Sequence, residues 1–221
     1  MYIFGNIGLK KKELFKLETI KPNERNASNY GPIHRIYEST KPLVIIIPSS
    51  IDHYYKHVAL QIAHDWYLYG RGDSMILYNN QVSSNIVDYP YQIYLGLIDE
   101  NKHMESILSE KPCSSIDFEK SASAITGIKV GDKLYKDPGT GLYIVKWPFS
   151  KYILNILNIG IIFIHPISKT TITVIISGID RDGFESAWHL LPRRTGMMIP
   201  EWIVTSNEMK SIGVGGILGA G

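Results

Sequence analysis

One cysteine, Cys113, stands in the 221 residues of this chain. A lone cysteine forms no internal disulfide and no thiolate metal site, which suits a reducing compartment without excluding secretion. An excess of charge of either sign is also missing. Lys and Arg number 23 against 21 Asp and Glu, a formal net charge of +2, so the chain lacks the basic footprint of a nucleic-acid binder. The one basic cluster, Lys10-Lys11-Lys12, is followed by Glu13 and reads as a solvated turn. No apolar run reaches the ~20 residues of a membrane helix. The most apolar region, Ile153–Ile167, is interrupted by Asn155, Asn158, His165 and Pro166. The opening MYIFGNIGLKKKEL has neither the apolar core nor the cleavage pattern of a signal peptide. These absences predict no nucleic-acid partner, no membrane span and no cofactor.

What is present is ordinary core-forming composition, 44% hydrophobic and 20% charged, enough for one large domain. Residues 1–42 carry Pro22, Asn23, Asn26, Asn29, Gly31 and Pro32 and read as an extended arm or linker. Asn26-Ala27-Ser28 is a glycosylation triplet with meaning only in a secreted protein. Pro42 and Pro48 bound the run Leu43–Ile47, the pattern of a strand buried on both faces. Between Asp52 and Tyr69, the residues Tyr55, Val58, Ala59, Ile62, Ala63, Trp66 and Tyr69 recur at helical spacing, and Gly70 and Gly72 stop the pattern. Strands are predicted at 74–78 and 91–98, and a short helix at 99–110. Short β runs between 114 and 146 surround Gly131-Asp132, a hairpin signal. Buried-strand composition returns at 159–164 and 171–177, and a last strand is predicted at 202–205.

The stretch Thr171–Gly183, TITVIISGIDRDG, is a β-branched run entering a tight turn and a helix start. Open α/β sheets place their binding crevice at such strand ends. Ser49, Ser50, Gly178, Asp180, Asp182 and Gly183 are therefore the candidate ligand-binding residues. None carries a diagnostic motif. Ser49-Ser50 sit in I-P-S-S-I rather than G-x-S-x-G, and a helix cap is the simpler role. Gly178 and Gly183 have the spacing of a phosphate loop, but Phe184-Glu185 replace Lys and Ser or Thr. Asp180 and Asp182 would repel a phosphate, and a helix N-cap explains an aspartate there. As metal ligands or an acid/base pair they lack companions. His53, His57 and His64 lie opposite the apolar face of their helix and predict a polar or interface stripe rather than a metal site, since the Glu of H-E-x-x-H is replaced by Tyr54. Arg71-Gly72-Asp73 follows a helix end, where glycine is an expected stop. No catalytic residue is assigned.

The segments GPIHRIYESTKPLVIII, HVALQIAHDWYLYGRGDS and VIISGIDRDGFESAWHLLP with IPEWIV resemble the C-terminal α/β region of large bacterial and fungal prolyl-oligopeptidase-like α/β-hydrolase proteins, over roughly residues 25–210. The resemblance implies an accessory region whose partner is a peptidase-like domain of the same or a longer polypeptide. The catalytic Ser, Asp and His of such proteins belong to that other domain and match nothing here.

The fold expectation is a three-layer, Rossmann-like α/β domain with a mostly parallel sheet over residues 43–210. It carries a β-rich insertion at 114–146, an extended arm at 1–42 packed outside, and a Gly-rich, truncated tail at 211–221. The abrupt ends predict a fragment of a longer polypeptide. The expected function is a non-catalytic accessory domain. The alternatives are a small-ligand-binding module and a serine hydrolase with an atypical nucleophile at Ser49 or Ser50.

Overall fold

The structure is a computed structural model. It describes residues 29–39, 41–49, 53–82, 86, 89–110, 116–121, 124–136, 144–147, 150–153, 158–168, 170–191 and 199–221. Most of the expected arm (1–28), Lys10–Lys12, Ser50 and Cys113 lie outside these.

The Pro-bounded run is strand β1 (Leu43–Ile47), with all five residues buried. Helix α1 (Tyr54–Asp65) continues into a π-helical turn, Trp66–Gly70. Strands β2 (Ser74–Tyr78) and β3 (Tyr91–Leu95) follow, then helix α2 (Lys102–Glu110). The expected insertion is an antiparallel sheet of β4 (Ile116–Ser121), β5 (Ala124–Val130) and β6 (Lys133–Lys136), with a hairpin of β7 (Ile144–Trp147) and β8 (Ser150–Ile153) after it. Gly131 takes φ +58° between β5 and β6, the first loop position that a two-residue hairpin gives to glycine. The chain returns to the main sheet with β9 (Ile159–Ile164), β10 (Ile172–Gly178), helix α3 (Arg181–Trp188) and β11 (Trp202–Ser206). It closes with helix α4 (Met209–Ile212) and β12 (Ile217–Ala220).

The main sheet has the order β12-β11-β9-β10-β3-β1-β2. The pairs β1–β2, β1–β3 and β3–β10 are parallel, while β9–β10, β9–β11 and β11–β12 are antiparallel. All strands except β9 and β12 therefore share one direction. The fold is mixed α/β with a mostly parallel sheet and a separate antiparallel sheet, as the alternation of buried β runs and helical patterns predicts.

Period-two alternation divides the core. Ile45, Ile93, Val174, Ile162 and Ile203 point to the face covered by α1, α3 and the 3₁₀ turn Ile33–Tyr37. Val44, Ile46, Tyr94, Ile175, Ile161 and Val204 point to the face covered by α2 and the β4–β6 sheet. Tyr55 of α1 meets Phe184 of α3 edge to face at 5.2 Å, so both helices lie on one face. From β1 the chain moves outward through α1 to β2. From β10 it moves the other way through α3 to β11. Opposite directions over the same face give the two crossovers opposite hands, so one of them is of the rare left-handed kind.

Both ends of the described chain make contacts with the body of the fold. Within the expected arm, Ile33 and Ile36 are fully buried, Ile33 N–H donates to Ile199 O at 3.1 Å, and Tyr37 stacks on Trp66. Within the Gly-rich 211–221, Gly221 exchanges two backbone hydrogen bonds with Trp202, and β12 extends the sheet. In both cases an apolar residue beside glycine or proline finds a core position supplied by distant chain. Local punctuation does not encode that.

Candidate functional site

The carboxyl ends of β1, β2 and β3 lie side by side. Beyond β1, Pro48 packs on Gly96, which ends β3 at φ +113°; a Cβ there would lie 2.5 Å from Pro48 Cγ. Ser49 follows. Its N–H donates to Asn79 Oδ1 at 3.1 Å, and its hydroxyl donates to the same oxygen. Asn79 is held beyond β2 by its own N–H, which donates to Ile47 O at 2.8 Å. Its amide nitrogen reaches Glu100 O at 3.4 Å. Asn101, fully buried, donates to Leu95 O and accepts from Met104 N–H, capping α2 and fixing the turn that carries Glu100 and Lys102. Ser49, Asn79, Asn80, Glu100 and Lys102 line an open cleft of about 420 Å³.

Glu100 Oε2 accepts the Tyr55 hydroxyl at 2.5 Å. Burial holds the Tyr55 phenol well above its ordinary range, and the hydrogen bond and negative charge of Glu100 push the same way. The tyrosine is therefore a neutral donor that fixes the carboxylate. Tyr55 also touches Phe184, and so joins the cleft to the second group of candidate residues.

That second group makes contacts within the β10–α3 joint. Asp180 Oδ1 accepts Gly183 N–H at 2.8 Å and caps α3. Asp182 accepts from Asn158 Nδ2 at 2.9 Å and pairs with Lys210, which also reaches Glu185 at 2.8 Å. A Cβ on Gly178 would lie 2.4 Å from Phe184 N, so the strand end and the helix start meet backbone to backbone. Of the five described candidates, the cleft thus gathers Ser49 alone. Gly178, Asp180, Asp182 and Gly183 build the β10–α3 joint, and Ser50 lies outside the described residues. Asn79, Asn80, Glu100 and Lys102 escaped the sequence reading. Their available signal was Asn79-Asn80-Gln81 directly after a β run and Glu100-Asn101-Lys102 at a helix start.

Ser49 donates its proton to an amide oxygen, which does not act as a general base at neutral pH, and no histidine bonds to the hydroxyl among the described residues. His53, at the N-cap of α1, and His57 and His64 on it are exposed. Among the described residues no group of three or more His, Cys, Asp or Glu side chains is placed to hold a metal. No described helix is long and apolar enough to cross a membrane.

No protein-family model, no curated protein and no solved structure matches the chain.

Proposed function

We propose that this chain is a non-catalytic binding module whose cleft beyond β1 and β2 holds a small hydrophilic ligand. The observation that carries the reading is the convergence of Ser49, Asn79, Asn80, Glu100 and Lys102 at the strand ends. They offer hydroxyl, amide, carboxylate and ammonium groups without a paired nucleophile and base. The crevice of a Rossmann-like sheet has the same placement, outside the carboxyl ends of parallel strands. A thermal-shift screen of hydroxylated and charged metabolites tests it, because a ligand bound only by the folded chain raises Tm. The expected result is a hit whose shift disappears in Asn80→Ala and Lys102→Ala. A hit that survives both substitutions overturns the site. A fluorophosphonate probe is expected to leave Ser49 unlabelled, and labelling there would instead establish the hydrolase alternative.

A second reading is an accessory domain beside a peptidase-like hydrolase domain, as the resemblance implies. It is supported by the side of α1 that no described element covers. The β4–β6 sheet packs on the opposite face of the main sheet, leaving Leu60 and Tyr67 exposed together. This reading predicts an in-frame peptidase-like domain in the gene. An in-frame stop codon just upstream of Met1 and another just after Gly221 would end it.

A further inference from the structure

Two opposite charges, Glu100 and Lys102, line the cleft beyond β1 and β2. They flank Asn101, the buried cap of α2, so their Cα atoms stand no more than ~7 Å apart. Yet they form no ion pair with each other. The carboxylate is held from another side. Its Oε2 accepts the hydroxyl of Tyr55, a residue only 1% exposed, at 2.5 Å. Main-chain bonds hold the same residue: Glu100 N–H donates to Leu97 O at 3.2 Å, and Glu100 O accepts Asn79 Nδ2 at 3.4 Å. Glu100 is thus fixed in place, and its second carboxylate oxygen keeps its own acceptor capacity. Lys102 is exposed on the first turn of α2, and its ammonium swings on a flexible stem. Ser49 uses both of its donors on Asn79 Oδ1. Asn80 adds an amide, which donates and accepts.

We propose that the ligand of this cleft is a zwitterion, an α-amino acid with a hydrophilic side chain. The inference rests on the binding-module reading of the same cleft and narrows its ligand to one class. The ligand's ammonium pairs with Glu100, its carboxylate pairs with Lys102, and a side-chain hydroxyl or amide meets Asn80. Other charge classes fit less well. A phosphate or a dicarboxylate meets the negative charge of Glu100, which Tyr55 holds in place. A simple cation meets Lys102. A neutral sugar strips water from both charges and returns only hydroxyl bonds to them, where a charged partner would make stronger, charge-assisted ones. A volume of about 420 Å³ lies toward the small end of ligand pockets, which suits a molecule of amino-acid size.

Isothermal titration of the full chain with L-serine, L-threonine, L-asparagine and L-glutamine tests the class. At least one is expected to bind, and about tenfold more tightly than both its N-acetyl acid, which lacks the cation, and its amide, which lacks the anion. This comparison uses the unaltered chain and needs no variant. Glu100→Gln keeps an acceptor for Tyr55 and is expected to remove the preference over the N-acetyl acid. Lys102→Met, at an exposed position, is expected to remove the preference over the amide, and Lys102→Arg to retain it. Circular dichroism of the three variants is expected to match that of the parent chain. Equal affinity for an amino acid and its two derivatives overturns the proposal, as does binding that is unchanged in both Glu100→Gln and Lys102→Met. An uncharged hydroxylated metabolite that raises Tm through Asn80, while no amino acid binds, overturns the zwitterion and leaves the binding module standing. Silence from amino acids and from the wider metabolite screen alike overturns both.

Discussion

Gly160 and Gly183 meet backbone to backbone. A Cβ on Gly160 would lie 1.9 Å from the Gly183 carbonyl oxygen, and a Cβ on Gly183 would lie 2.2 Å from the Ile159 carbonyl oxygen. Helix α3 thus sits directly on β9, closer than any side chain permits. This brings Phe184 down to Tyr55 and through it supports the cleft.

Gly160→Ala and Gly183→Ala are each expected to cost about 3 kcal/mol, because the obstructing atoms are main chain and do not swing aside. Gly215→Ala is the control. Its new methyl would meet the Ile212 side chain at 3.1 Å, and the expected change is within ~0.5 kcal/mol. Urea unfolding of the three variants checks the contrast.

Asp180 caps α3 through Gly183 N–H. Asp180→Ala is expected to lower stability by about 1 kcal/mol, and Asp180→Asn to retain most of the cap. Equal losses in both, read from denaturant midpoints, would show that the aspartate acts through its charge rather than as a cap.

Above pH 10 the stability of the chain is expected to fall. Burial raises the phenol pKa of both Tyr55 and Tyr94, and the Glu100 hydrogen bond and charge add to the rise at Tyr55. The unfolded chain releases these protons as pH passes 10 while the folded chain keeps them. Stability from the bound protons is therefore full below pH 10 and is lost as pH rises further. Tyr55→Phe and Tyr94→Phe should each flatten the alkaline limb of Tm against pH. Tyr55→Phe should also cost about 1 kcal/mol at neutral pH through the lost hydrogen bond to Glu100.

On the acid side, His103 stacks on Tyr94 at 5.7 Å, and burial lowers its pKa below 6.5, with Glu110 partly opposing. The fold favours the neutral imidazole. Its contribution is present above pH 6.5 and is lost as pH falls through the lowered folded value. His103→Gln is expected to flatten this limb of the Tm profile and leave the alkaline limb unchanged. An identical acid limb in the variant would place the proton uptake elsewhere.

Much of the fold was legible in local pattern. Leu43–Ile47 and Ile172–Gly178 announce strands because a strand buried on both faces of a sheet is a near-continuous apolar run, and Ser74–Tyr78, half-buried at the edge, announces one by its short apolar run alone. Tyr55, Val58, Ala59, Ile62 and Trp66 announce α1 because one helical side packs. Gly131-Asp132 announces a hairpin through one positive φ. Strand direction was not legible: β9 has the composition of β1 yet runs antiparallel, since an apolar run carries no mark of its neighbour's direction. Nor was the shared face of α1 and α3, which follows from Tyr55 against Phe184 and from two glycines 23 positions apart in the chain. The cleft was legible only at Ser49, because a strand end is a local feature. Asn79, Glu100 and Lys102 belong to two other turns, and only the parallel pairing of β1 with β2 and β3 makes the three turns one site. Burial and periodicity are properties of a segment and can be read from it. Adjacency is a property of the whole chain and arises only when the sheet closes its order.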